Sequence, residues 1–168
     1  YSYMVRALLT IFQANGEAER LSQAQNLAER MIALFWDSQA GIFFDSDGLQ
    51  KNVIHRRQTP TDGAIPSANA VAIEGLVKLS AFTDIERFRK IAVEGMLATL
   101  PYSERGARSF SGTYVSYPYL AELPAVAVVI GNGKPSSLEA WQGELSATQH
   151  FNALPVFSAE AQDDSKLA

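Results

Sequence analysis

The sequence predicts a mainly α fold: helical hairpins forming part of an α/α toroid, a short β-hairpin insertion, and a small C-terminal strand-helix-strand unit. Three observations predict it. Apolar residues recur at three-to-four spacing through four stretches of the first hundred residues. These stretches form a repeat, in which Ala7-Leu8-Leu9 with Glu19-Arg20-Leu21 matches Gly75-Leu76-Val77 with Glu86-Arg87-Phe88, allowing one gap. Beyond residue 123 the pattern becomes a buried-strand run, a helical stretch and a second short apolar run.

In residues 1–14, Tyr1, Met4, Val5, Leu8, Ile11 and Phe12 form one helix face, and Asn15-Gly16 stops the helix. Glu17 begins a second helix, running to about Trp36. Its stripe is Leu21, Ala24, Leu27, Ala28, Met31 and Leu34, opposite Glu19, Arg20, Gln23, Gln25, Glu29 and Arg30. The period then shortens. Gly41 to Asp45 and Asn52 to Arg56 flank the turn pair Asp47-Gly48, which predicts a hairpin. Residues 58–66 are loop, punctuated by Pro60, Gly63 and Pro66. Ser67 is placed to N-cap a helix over 68–82 that is apolar nearly all round, and therefore buried. Thr83-Asp84 is placed to cap an amphipathic helix over 85–99, with Ile85, Phe88, Ile91, Ala92 and Met96 inward. Each repeat is thus a more buried helix, a short turn and an amphipathic helix. That alternation suits a ring with inner and outer helices, and puts the strand hairpin at its mouth.

Residues 101–112 read as loop, and 113–123 as a short or kinked helix around Pro118. Pro124 to Ile130 is a strand ended by Gly131-Asn132-Gly133. A helix follows from Pro135 to about His150, and Leu154 to Phe157 is a second strand. That length suits a parallel crossover unit. The expected organisation is a toroid part over 1–123, a strand-helix-strand extension over 124–158 and a flexible tail over 159–168.

Composition removes several function classes. With no cysteine there is no disulfide, thiolate metal site or cysteine nucleophile. With two histidines, His55 and His150, a multi-histidine metal site is not expected, and no cofactor is implied. A net charge of −4 argues against general nucleic-acid binding. No apolar run reaches the roughly 18 residues of a membrane span. The chain starts at Tyr1, inside a periodic stretch, so a piece of a longer protein is expected, with the cytoplasm as its default location.

Two stretches carry a family resemblance. They are Leu34-Phe35-Trp36-Asp37 with Gly41-Ile42-Phe43-Phe44-Asp45, and Thr61-Asp62-Gly63-Ala64-Ile65-Pro66-Ser67-Ala68-Asn69-Ala70-Val71-Ala72. Together they resemble the C-terminal part of the thioredoxin-domain-containing YyaL-type family, relatives of spermatogenesis-associated protein 20. The family loop reads Asp-Gly-x-x-Pro-Ser-Gly-Asn-Ser, and here Ala68 and Ala70 replace the Gly and the second Ser. The resemblance covers residues 1–100. It implies a larger parent with a thioredoxin-like domain and an (α/α)6 toroid similar to N-acylglucosamine 2-epimerases and six-hairpin glycosidases. It also implies carbohydrate chemistry: sugar binding, a hydrolase or an isomerase.

Each candidate residue carries two readings. Asp62, in the Pro/Gly loop beside a buried helix, suits general acid or base work on a sugar. It equally suits a turn in which its carboxylate takes nearby backbone N–H groups. Ser67 and Asn69 suit hydrogen bonds to a polyhydroxyl ligand, or an N-cap and a loop tie. Arg56 and Arg57 suit a phosphate or carboxylate clamp, with Asp45 and His55 beside them, or else a solvated hairpin edge. Trp36, Phe43 and Phe44 offer stacking faces to a sugar, or core packing. Gly131 to Ser136 lacks the full spacing of a phosphate loop and reads as a tight strand-to-helix turn.

Taken with the resemblance, these residues suit a carbohydrate-active portion with Asp62 as acid/base and Trp36, Asp45, His55, Arg56, Arg57, Ser67 and Asn69 binding a sugar or sugar phosphate. The alternative is a non-catalytic scaffold for a thioredoxin-like domain. A third reading is a binding domain for phosphorylated metabolites on the basic hairpin. An isolated partial ring is expected to leave apolar faces open and to dimerise through 1–36 or 68–99.

Overall fold

In the helix of residues 68–83 almost every side chain meets protein, and the other elements are arranged around it. The computed structural model describes residues 1–49, 55–104, 106–130, 140, 141, 143, 144 and 153–158. Among them α1 (Ser2–Asn15), α2 (Ala18–Phe35), α3 (Ala68–Thr83) and α4 (Glu86–Ser103) carry about half of the residues. β1 (Trp36–Asp37) and β2 (Ile42–Phe43) follow α2. A one-turn helix α5 (Ser111–Tyr114) lies between two short 3-10 turns, Ala107–Phe110 and Tyr117–Leu120. The parallel pair β3 (Ala125–Ile130) and β4 (Ala153–Ser158) completes the fold. The chain is mainly helical with a few short strands. No helix among the described residues is long and apolar enough to cross a membrane.

Ser67 caps α3, its hydroxyl oxygen accepting the Ala70 N–H at 3.0 Å. The helix buries Val71, Ala72, Ile73, Leu76, Val77 and Leu79, so its apolar surface meets neighbours on several sides. It packs against α1 and α4, and α2 packs against α1. Gly75 and Gly95 make the close crossings. A Cβ at Gly75 would lie 3.2 Å from Val5, and one at Gly95 would lie 3.1 Å from Ile73. Phe88 and Met96 of α4 and Ala24 and Ala28 of α2 are fully buried at their contacts. An exposed ion pair, Arg87 with Glu29, links α4 to α2.

Several expectations are corrected. The buried face of α1 is Ser2, Val5, Leu9 and Phe12, whereas Met4 and Ile11 of the expected stripe are exposed. The α1 face is set by where α2 and α3 cross it, and apolar residues such as Met4 and Ile11 that flank that face do not announce its direction. Asp84 does not cap α4. It takes the left-handed conformation (φ 56°) that closes α3, and its N–H reaches the Ser80 carbonyl at 2.9 Å. α4 continues to Ser103 through Pro101 instead of ending at residue 99. Pro101 and Leu97 lie on the exposed side, where water can serve the Leu97 carbonyl that proline leaves without its helical donor. Beyond α4, residues 107–120 form two 3-10 turns around α5.

The strand pairing also differs from expectation. β2 pairs antiparallel with β1, Trp36 opposite Phe43 and Asp37 opposite Ile42. The tight turn at Gly41, whose N–H reaches the Asp37 carbonyl at 2.8 Å, brings those two segments together first. The expected partner, Asn52 to Arg56, is described only at His55 and Arg56, which are outside any strand. At the C-terminal end, β3 and β4 run parallel, Ala125 beside Ala153 through Ile130 beside Ser158, as the crossover pattern predicts. Ala140, Trp141, Gly143 and Glu144 are helical between them, and the rest of the expected 135–150 helix lies outside the described residues. So does the expected tail over 159–168. β4 rests on α1, where the Gln13 amide donates to the Pro155 carbonyl at 3.2 Å.

Leu76 is fully buried at the centre of this packing, and Val128 is 60% exposed on β3. Leu76→Ala is expected to cost about 2–5 kcal/mol in urea unfolding. Val128→Ala should change stability by no more than about 0.5 kcal/mol.

Candidate functional site

The polar side chains of the 58–69 loop converge on the N-terminus of α3. Asn69, in its first turn, is almost fully buried and faces β2. Its amide carbonyl accepts the Phe43 N–H at 2.7 Å, and its amide nitrogen donates to the Phe43 carbonyl at 3.1 Å. One side chain therefore pairs with the strand as a neighbouring strand would. Phe43 is held against Trp36, ring centroids 4.8 Å apart. The next two residues are fixed by backbone: Phe44 N–H to the Phe35 carbonyl, and Asp45 N–H to the Arg57 carbonyl, both 2.8 Å.

Asp62 forms a second tie. Its Oδ1 accepts the Ser67 N–H at 2.7 Å. Its Oδ2 accepts the Gly112 N–H at 2.7 Å and the Ser111 hydroxyl at 3.1 Å. Its own N–H donates to the Ser109 carbonyl at 2.7 Å. A carboxylate is an acceptor suited to bundling such donors, and it sits at the positive end of α3. Gly112 makes the approach feasible, since a Cβ there would lie 3.0 Å from Pro66 and 3.2 Å from Asp62. Ser67 completes the knot by donating its hydroxyl to the Pro60 carbonyl at 3.1 Å.

Beside this knot is an open cleft of about 200 Å³. It is bounded by Tyr1 and Ser2 of the α1 end, Met31 and Phe35 of α2, Phe43 to Asp45, and Ala68 and Ala72 of α3. Tyr1 and Phe35 pack ring on ring at 5.2 Å. The charged side chain in the lining is that of Asp45. Its Oδ2 accepts the Thr59 hydroxyl at 2.7 Å, and Arg57 Nε lies 3.9 Å away on a side chain 80% exposed.

The other sequence-predicted residues are placed apart from the cleft lining. Arg56 donates to the Leu34 and Ser46 carbonyls and lies over the Phe44 ring, 3.9 Å from its centroid. It and Arg57 do not form a clamp, because the two side chains are engaged in different directions. His55 is exposed. Trp36 packs on Phe43. Asp62, Ser67 and Asn69 frame the site from behind. His150 and Gly131 to Ser136 lie outside the described residues. Sequence reasoning missed Tyr1, Ser2 and Met31, ordinary helix residues with no motif to mark them, and Phe35, Ala68 and Ala72, which lie in the two motif stretches but carry no polar group to single them out. It also missed Asp37, whose carboxylate accepts the Gln39 and Ala40 N–H groups and the Gln58 amide. Among the described residues no three His, Cys, Asp or Glu are grouped to hold a metal ion.

Comparison with known proteins gives a partial relationship. Over 84 residues the chain is 39% identical to spermatogenesis-associated protein 20 of Homo sapiens, and 37% identical to the protein of that name in Mus musculus. Each alignment takes in 49% of this chain and 11% of the relative. An uncharacterized protein of Caenorhabditis elegans is 28% identical over 92 residues, 55% of this chain and 12% of that protein. The chain therefore spans a small part of the length of the curated relatives it matches. No family model matches it.

Asp62→Asn replaces an acceptor oxygen by an NH2 group facing fixed donors, and is expected to cost about 1–3 kcal/mol in urea unfolding. Asp45→Asn, on the exposed rim, should cost less than about 1 kcal/mol in the same assay. Asp37 titrates below the ordinary aspartate range, chiefly because of the Gln39 N–H and despite partial desolvation. Its depressed folded value means that its contribution is complete above about pH 4 and is lost as pH falls through that lower value. Asp37→Asn is expected to flatten this part of the acid limb when urea midpoints are followed downward from neutral pH.

Proposed function

We propose that this chain is a non-catalytic helical-hairpin portion of a larger protein related to spermatogenesis-associated protein 20, and that its Asp62–Asn69 loop fastens the hairpins together. The observation that carries this reading is the occupancy of Asp62: both carboxylate oxygens are taken by donors of the chain itself. Asn69 and Arg56 are committed in the same way. In an acid/base role Asp62 would have to serve substrate while holding three donors of its own chain, one on Oδ1 and two on Oδ2. In the parent protein such a portion would serve as a rigid support, and the family resemblance supplies a thioredoxin-like domain as the element supported.

A second reading is supported by the cleft. Aromatic walls with a carboxylate at the rim suit a small ligand, and a sugar is the class implied by the resemblance to carbohydrate-active toroids. In this reading the ligand is held beside Asp45, with the Asp62–Asn69 knot behind it.

The two readings separate in one experiment. The chain and its Asp62→Asn variant are titrated with glucose and glucose 6-phosphate, followed by amide NMR at a temperature where both are folded. The scaffold reading expects no saturable binding of either probe, whereas saturable binding that Asp62→Asn leaves intact favours the cleft reading. Saturable binding that the variant abolishes would overturn it and restore Asp62 as a substrate contact.

A further inference from the structure

The cleft has a charge pattern that selects among small ligands. Its lining is apolar or aromatic except for Ser2 and Asp45. The basic residues of the neighbourhood do not line it. Arg56 is bound to the Leu34 and Ser46 carbonyls, and Arg57 extends into solvent. An anionic ligand would therefore meet the Asp45 carboxylate and no basic side chain in the lining. A cation would meet Asp45 and the faces or edges of several rings. Thr59 holds Asp45 Oδ2, while Oδ1 accepts no hydrogen bond among the described residues. The Arg57 guanidinium is 3.9 Å from Oδ2, too long for a hydrogen bond and largely solvated, so it competes weakly. The volume, about 200 Å³, is below the roughly 300–1,000 Å³ of sites for drug-sized ligands, and so limits the occupant to a few heavy atoms.

We propose that the cleft between α1, α2, β2 and α3 binds a small organic ammonium compound. Asp45 supplies the counter-charge, and Tyr1, Phe35 and Phe43 supply the aromatic contact. Aromatic side chains grouped beside a carboxylate are the arrangement that recognises ammonium groups in general, because the electron-rich ring faces attract the cation and the apolar wall accepts its carbon substituents. The proposal rests on the cleft being a ligand site, as in the second reading above, and replaces the sugar by a cation.

The test is an amide NMR titration of the chain with choline, with its neutral isostere in which carbon replaces the quaternary nitrogen, with inorganic phosphate and with glucose. Choline is expected to bind roughly tenfold more tightly than the isostere, shifting resonances of Phe35, Phe43 to Asp45 and Ala68. Asp45→Asn should remove most of that preference while the spectrum stays dispersed. Arg57→Ala should tighten choline binding by removing the competing cation, a result that a purely structural role for Asp45 does not produce. Equal or tighter binding of the isostere, or binding of phosphate at the same resonances, would overturn the proposal. Glucose binding in the cleft without choline binding would overturn it and leave the sugar reading intact. Failure of all four probes would remove both.

Discussion

A single buried amide governs the geometry around the cleft. Asn69 offers one donor and one acceptor to the backbone of Phe43, and both are used. Each of those backbone groups would otherwise be buried without a partner, at about 1–3 kcal/mol apiece. A hydrophobic residue at position 69 would leave β2 unattached to α3, and an Asp would supply no donor. With Phe43 fixed, Phe44 and Asp45 follow by their own backbone bonds, and the rings of Phe43 and Trp36 close over the helix ends. The cleft is the space left between this strand and the start of α1.

The same turn of α3 carries a second set of ties, through Asp62 and Ser67. They reach in the other direction, to the Ser109–Gly112 segment. The N-terminus of the most buried helix is therefore held on one side by an amide and on the other by a carboxylate. Asn69 satisfies backbone groups buried away from water, and Asp62 bundles part-buried backbone N–H groups with the Ser111 hydroxyl. A loop with such duties needs particular residue types at particular positions, whether or not any ligand touches it. A motif of this kind can thus be specific in sequence and structural in action, and the cleft is lined largely by residues outside it.

Much of the fold was legible in the sequence. The four long helices follow from three-to-four periodicity, and the burial of α3 from its all-round apolar surface. The Ser67 cap and the parallel β3–β4 pair also follow from local patterns. The misreadings have local causes. Trp36-Asp37 looks like a helix end because its strand partner lies across a tight turn. Pro101 looks like a stop because its exposure on the helix surface has no sequence signature. Met4 and Ile11 look like core because an apolar helix face acquires its direction from whatever crosses it. For the site, the sequence identified Asp45, Asp62, Ser67 and Asn69 but not that Asn69 would hold Phe43 or Asp62 would hold Gly112, since partners 26 and 50 residues away are set by packing.

By itself the sequence determined the helical class of this protein, the absence of thiol chemistry, and the loop residues able to bind backbone groups. Periodicity and residue chemistry are local properties, and they survive without knowledge of the neighbours. Only the tertiary structure decided that Asp62 and Asn69 face their own chain, that Arg56 and Arg57 part company, and that Tyr1, Phe35 and Phe43 meet beside Asp45. Those outcomes depend on how α1 and α2 cross α3 and on which strand β2 joins. They are relations between distant segments, and no spacing within one segment encodes them.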